Sequence, residues 1–197
     1  MKVLGRKTSG NVQKVLFLLE ELKLPYERED YGRQFNNTQT AEYLRMNPNA
    51  KVPTLVDGSL AIWESNTILR YVASKAKSAL YPADLGKRAQ VEKWMDWQLA
   101  SLNNPYLAMF REAKLEPAKR SADFDTQQKD LGAQLSILDK NIRKCVAGDE
   151  LTIADICLAP IVYRCLRFGV ELPELANVKR WDAAISGREA FKKATAG

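Results

Sequence analysis

The chain has 197 residues, 46% of them hydrophobic and 27% charged, which is the composition of a packed globule rather than a disordered chain. It contains no histidine, so Ser-His-Asp triads, Cys-His pairs and histidine metal sites are excluded. The formal net charge is +6, yet Lys and Arg are interspersed with Asp and Glu and form no basic block, which argues against a nucleic-acid partner.

No apolar run reaches the roughly 18–20 residues that cross a bilayer. Gly5-Arg6-Lys7-Thr8-Ser9-Gly10-Asn11 interrupts the apolar start, so a signal-peptide core is missing. A cytoplasmic protein without a membrane partner is expected. The three cysteines, Cys145, Cys157 and Cys165, form no C-x-x-C pair. They read as small core residues, and no metal is expected.

In chain order, Lys2–Gly5 predicts a short strand, and Val12, Val15, Leu16, Leu19 and Leu22 predict a helix over about 11–22. Pro25 closes that unit. Residues 26–31 suit a second strand, 32–38 a polar loop, and 40–46 a short helix ended by Asn47-Pro48-Asn49. Asp57-Gly58 between Val52–Val56 and Leu60–Trp63 predicts a hairpin. Pro53 has no N–H and biases Val52 toward an extended backbone, which suits main-chain pairing with a peptide-like ligand. Ser65 precedes the helical pattern of Ile68, Leu69 and Val72 and reads as its N-cap, beside an anion site at the positive helix end. Two readings stand at this point: a cradle for a short peptide with a carboxylate, or an ordinary hairpin leading into a capped helix.

Residues 77–86, with Pro82 and Gly86, read as a linker. Beyond it the period is helical throughout. Residues 87–111 form one long pattern that Pro105 should kink or interrupt. Leu131, Leu135, Leu138, Ile142 and Val146 keep the spacing of a bundle helix. Thr152 and Asp155 form a variant capping box, which makes Asp155 a capping group rather than a catalytic acid. The helix that follows, to about Leu166, is apolar on most sides. A final helix is expected near 178–186, anchored by Trp181.

The element order gives a βαβ unit, a hairpin and a helix, then an all-helical region. This is an α/β plus all-α chain: a thioredoxin-like N-terminal domain followed by a C-terminal helical bundle. The expected domains are 1–76 and 87–197, joined by 77–86. Asn47-Pro48 leading to Lys51-Val52-Pro53-Thr54-Leu55, then Glu64-Ser65, and finally Leu151-Thr152-Ile153-Ala154-Asp155 together resemble a cytosolic glutathione transferase. The stretch Gly5–Val15 is similar to bacterial members with Ser or Thr, then Asn, at the start of the first helix. Glu20-Glu21-Leu22, Gly32-Arg33-Gln34-Phe35 and Glu92–Trp97 resemble a bacterial group that includes a haloacid-dehalogenating enzyme.

The resemblance implies glutathione as co-substrate, no metal, a small electrophile as second substrate, and a homodimer. It implies a cis Pro53, main-chain pairing of glutathione with Val52, γ-glutamyl binding by Glu64 and Ser65, and a glycyl carboxylate near Lys51. Ser9 would face the glutathione sulfur, with Asn11 close by and Thr8 and Asn11 as rival donors. Its other reading is a plain N-cap of the first helix. Arg6, Tyr106, Phe110 and Tyr163 are candidates for the electrophile pocket, and the other reading of the three aromatic residues is bundle core. Conjugation, including haloacid dehalogenation, is the first functional reading. Glutathione-dependent disulfide reduction and a non-catalytic interaction module are the alternatives.

Overall fold

A computed structural model describes residues 1–196. The chain divides into two compact units, Met1–Tyr81 with Gly187–Gly197, and Pro82–Ser186.

The first unit is built on a four-stranded sheet in the order β2-β1-β3-β4. The strands are β1 (Lys2–Leu4), β2 (Glu27–Glu29), β3 (Thr54–Asp57) and β4 (Leu60–Trp63). β1 pairs with β2 in parallel and with β3 antiparallel, and β3 pairs antiparallel with β4. A parallel pair needs a crossover, and α1 (Gly10–Glu21) supplies it. Its residues from Val12 to Leu19 are all buried, as expected of a helix covered on more than one side. α2 (Ala41–Met46) follows β2, with Thr40 accepting from the Tyr43 N–H at its start. α3 (Ser65–Lys75) buries Ile68, Leu69, Val72 and Ala73. Val3, Leu4 and Leu55 complete the core from the sheet side.

The unit closes with α9 (Glu189–Thr195), a helix absent from the sequence reading. Phe191 meets Phe17 of α1 edge-to-face, 5.3 Å between ring centres. Arg188 pairs with Glu21, and Lys193 with Glu20 at 3.7 Å. The sequence assigned residues 87–197 to the helical domain. In the structure the stretch from Gly187 groups with the first unit, because its apolar face is satisfied by α1.

The second unit holds α4 (Leu85–Trp97), α5 (Asn103–Glu112), α6 (Phe124–Asn141), α7 (Ile153–Cys165) and α8 (Ala176–Ser186). α4 starts inside the stretch read as linker, since Asp84 caps it by accepting from the Lys87 N–H at 2.8 Å. The break in the long helix comes as a π-helical turn, Gln98–Leu102, just ahead of Pro105. Pro105 lacks the N–H that would bond the Ser101 carbonyl, and the wider turn precedes that gap.

α7 is buried from Ile153 to Val162 and carries Pro160 inside it. Its start is fastened by Asp155. This carboxylate accepts from the N–H groups of Val146 (2.8 Å) and Thr152 (2.9 Å), from the Thr152 hydroxyl (3.2 Å) and from the Trp181 indole (2.9 Å). Burial pushes the Asp155 carboxyl pKa up, and the four donors oppose that shift. Cys145, Cys157 and Cys165 are buried and form no disulfide among the described residues, and burial pushes the Cys165 thiol well above its usual range.

The observed architecture is thus a thioredoxin-like α/β part and an all-helical part. Among the described residues no helix is long and apolar enough to cross a membrane, and no cluster of His, Cys, Asp or Glu suits a metal ion.

Candidate functional site

The sheet register brings the three motifs of the first unit together. Leu4 pairs with Thr54, and Thr54 pairs with Trp63. These three residues form one row across the sheet, so the chain just beyond each of them lies at the same sheet end. That end holds the β1–α1 loop carrying Arg6 and Ser9, the Val52-Pro53 segment, and Glu64-Ser65 at the start of α3. The glycine environments agree. A Cβ on Gly5 would stand 3.3 Å from Val52 Cβ, and one on Gly32 would stand 3.0 Å from the Arg6 guanidinium and 3.4 Å from Val52. Small residues there let the backbone segments approach closely.

Ser9 occupies the N-cap position of α1 and is 9% exposed, yet its side chain makes no capping bond. Its carbonyl accepts from the Gln13 N–H at 2.9 Å, so the backbone does the structural work and the hydroxyl is left for another partner. Asn11 is exposed on the first turn of the same helix.

The Val52–Pro53 peptide bond is cis. Val52 is half-buried, Pro53 buried and Lys51 exposed. A polar ring behind this segment went unseen in the sequence. The Tyr43 hydroxyl donates to the Lys51 carbonyl at 2.6 Å and lies 2.9 Å from Thr54 Oγ1. Asn47 Nδ2 reaches the same two groups, at 2.8 and 3.0 Å. Since Tyr43 spends its one proton on Lys51, Thr54 donates to Tyr43 and accepts from Asn47. Burial pushes the Tyr43 phenol pKa up, which keeps it a donor. Asn47 was legible as part of an Asn-Pro turn. Tyr43 and Thr54 offered no signal beyond a helical aromatic and a strand threonine.

The start of α3 corrects the sequence reading by one residue. Glu64, not Ser65, is the N-cap, with φ 67° and ψ 112° and no side-chain capping bond. Ser65 is the first residue of the helix and is 3% exposed. A left-handed φ is unfavourable for a residue with a Cβ, and such conformations persist where the surroundings impose them. The hairpin turn is also shifted. Asp57 pairs with Leu60, so the loop residues are Gly58 and Ser59, with Gly58 at φ 62°.

The remaining candidates lie elsewhere. Arg6 is in the first unit and borders Gly32. In the second unit, Tyr106 of α5 is 6% exposed and packs with Phe110 and Phe168 at 6.0 and 5.9 Å. Phe110 is 36% exposed and lies under the Arg164 guanidinium at 5.8 Å. Tyr163 on α7 is covered instead by Arg167 at 3.5 Å. Tyr106 and Phe110 therefore share an aromatic cluster whose third ring, Phe168, the sequence did not single out. Two open grooves of about 700 and 430 Å³ mark the first unit. Neither contains any candidate residue. The smaller is lined by Met1, Lys2, Val56 and Gly58, at the opposite sheet end.

The family model for the glutathione S-transferase N-terminal domain matches residues 1–74, and that for the C-terminal domain matches 95–189. The chain belongs to the glutathione S-transferase family. It is 37% identical to glutathione S-transferase GstB of Escherichia coli, over 96% of this chain and 94% of that one. It is 30% identical to glutathione S-transferase 4 of Zea mays, over 98% and 91%. Among solved structures, the theta class glutathione S-transferase of Xanthomonas axonopodis pv. citri with glutathione bound superposes with a TM-score of 0.93 at 32% identity, covering 100% of this chain and 97% of that one. The transferase motifs quoted from the sequence fall within the two matched spans, except that Glu92, Lys93 and Trp94 stand just ahead of the second.

Proposed function

We propose that this protein binds glutathione at the sheet end described above and directs its thiolate at an electrophilic carbon. The observation that carries this reading is the convergence of an uncommitted Ser9 hydroxyl, the Val52-Pro53 segment and the start of α3 at one edge of the sheet. In this reading Val52 pairs main chain to main chain with the cysteinyl part, and Glu64 and Ser65 hold the γ-glutamyl group. Lys51 meets the glycyl carboxylate, with Pro53 shaping the segment.

Ser9 donates to the sulfur, aided by the positive end of α1, and Asn11 stands beside it. A free thiol titrates near pH 8.5 and is mostly protonated at neutral pH. Lowering that pKa by ~2 units takes ~2.7 kcal/mol of preference for the thiolate, within reach of one hydroxyl donor at a helix N-terminus. No histidine is required, because the nucleophile arrives with the co-substrate. The thiolate forms the C–S bond and the leaving group departs with the electron pair, or the thiolate adds to an activated double bond. Arg6, Tyr106, Phe110 and Tyr163 are proposed to face the electrophile, and the arginine favours an anionic one such as a haloacid. A homodimer, a cytoplasmic location and a role in detoxification go with this reading.

Calorimetry with glutathione tests it first, followed by turnover of halogenated aromatics, haloacids and a small disulfide, with sedimentation for the dimer. Binding and carbon-centred turnover are expected. Absence of binding at millimolar glutathione overturns the reading, and turnover of the disulfide alone makes the protein a reductase. Ser9→Ala should raise the pKa of bound thiol by about 1–2 units, while affinity measured below about pH 6, where both proteins bind the thiol form, stays within about twofold. An unchanged pH profile removes Ser9 from the mechanism.

A further inference from the structure

β2 is the most polar strand of the sheet, Glu27-Arg28-Glu29, and its arginine reaches across to the end of β1. Arg28 Nη1 donates to the Gly5 carbonyl at 3.0 Å. The same guanidinium forks onto Asp30, with Nη1 2.5 Å from Oδ1 and Nη2 3.3 Å from Oδ2. A two-pronged carboxylate contact fixes the plane of a guanidinium, so the donor aimed at Gly5 is itself held in place.

Gly5 is buried and is the first residue beyond β1. Its carbonyl and the Arg6 N–H belong to one peptide unit. Arg28 holds the carbonyl, and the Arg6 N–H donates to the Tyr31 carbonyl at 3.2 Å. Both polar groups of that unit are thus tied to β2 and the residues just after it. The next carbonyl, that of Arg6, accepts from the Ser9 N–H at 3.1 Å and closes the turn that presents Ser9. A buried carbonyl needs a donor for stability alone. The hydroxyl of Ser9 needs more, because a hydrogen bond weakens steeply as its angle departs from linear.

We infer that Arg28 is a positioning residue for Ser9: through the Gly5–Arg6 peptide it sets the aim of the hydroxyl at the glutathione sulfur. The inference rests on the glutathione reading and deepens it. Arg28 acts by geometry rather than by its field. It holds the Asp30 carboxyl below the usual carboxylate range, so the two opposite charges stay paired at neutral pH.

The test is a double-mutant cycle read as the pKa of bound glutathione thiol, from thiolate ultraviolet absorbance against pH. Arg28→Met should raise that pKa by about 0.5–1 unit in the wild type. In Ser9→Ala, where no hydroxyl remains to be aimed, the same change should move it by less than half as much. Arg28→Lys keeps the charge but loses the fork, and should show the same pattern at about half the size. This conservative variant carries the cycle if Arg28→Met fails to fold. No shift in the wild type, or a shift in Ser9→Ala at least half as large as in the wild type, overturns the inference while the glutathione reading stands. If Ser9→Ala itself leaves the pKa unchanged, the role of Ser9 falls and this inference with it. A wild type that binds no glutathione overturns the whole reading.

Discussion

Two helices of this chain begin in opposite ways. At α7 the N-terminus is finished from within: Thr152 caps, and Asp155 gathers donors from three other positions, Val146, Thr152 and Trp181. At α3 the N-cap is Glu64, whose side chain caps nothing and whose backbone sits at φ 67°. α1 resembles α3 in this respect, because Ser9 holds the capping position without using its hydroxyl. All three starts have the polar residue types that cap helices. The difference lies in what the surrounding fold does with them. A helix start whose donors and acceptors are matched internally holds the bundle together. One whose side chains are withheld offers its dipole to something outside the chain.

The strongest break in this comparison comes from the closed end. Asp155→Ala would leave buried donors at Val146, Thr152 and Trp181 without an acceptor. Each such group costs about 1–3 kcal/mol, so a loss of about 3–5 kcal/mol is expected in urea unfolding. Glutathione affinity of the folded fraction should hold. A loss below about 1 kcal/mol would mean that the network at α7 is decorative, and that internal matching does not mark a structural helix start.

A smaller effect sharpens the other side. Tyr43→Phe removes the hydroxyl that donates to the Lys51 carbonyl, but Asn47 still reaches that oxygen. About 1 kcal/mol of stability should go, the ordinary net worth of one hydrogen bond. Because both side chains serve Lys51 and Thr54, Tyr43→Phe combined with Asn47→Ala should cost measurably more or less than the sum of the two single changes. Strict additivity in a double-mutant cycle would show that the ring does not act as a unit.

These residues also mark how far the sequence reaches. Element order followed from apolar spacing, and the α7 capping box was visible because its partners stand three residues apart. The closure of the first unit by α9 was not visible. It depends on Phe191 meeting Phe17 and Arg188 meeting Glu21, contacts between residues far apart in the chain. Lys14 shows the same limit at a single position. By spacing it stands opposite the stripe of Val12, Val15, Leu16 and Leu19, where a charge reads as solvated, yet in the structure it is fully buried and donates to Asn66. The misplaced cap at Ser65 has a related cause. Serine is the better capping residue by type, and nothing local announces that Glu64 will be held at positive φ.

That conformation allows the finest test of the contrast between the helix starts. Glycine adopts φ 67° freely, whereas alanine keeps the Cβ that makes it unfavourable. Glu64→Ala and Glu64→Gly remove the same carboxylate, so both should lose glutathione affinity to a similar degree. Their stabilities should diverge. Relief of a strained residue is worth about 1–3 kcal/mol, and the added freedom of glycine in the unfolded chain takes back about 0.5–1 kcal/mol. Glu64→Gly should therefore be more stable than the wild type by about 1 kcal/mol, with Glu64→Ala showing no such gain. Urea unfolding of the three proteins decides the matter. If glycine gives no gain over the wild type, the backbone at the start of α3 is at ease, and its open cap would need another explanation than a ligand. If it does, the fold holds Glu64 in a conformation that costs stability, at the position where the carboxylate would meet the γ-glutamyl group.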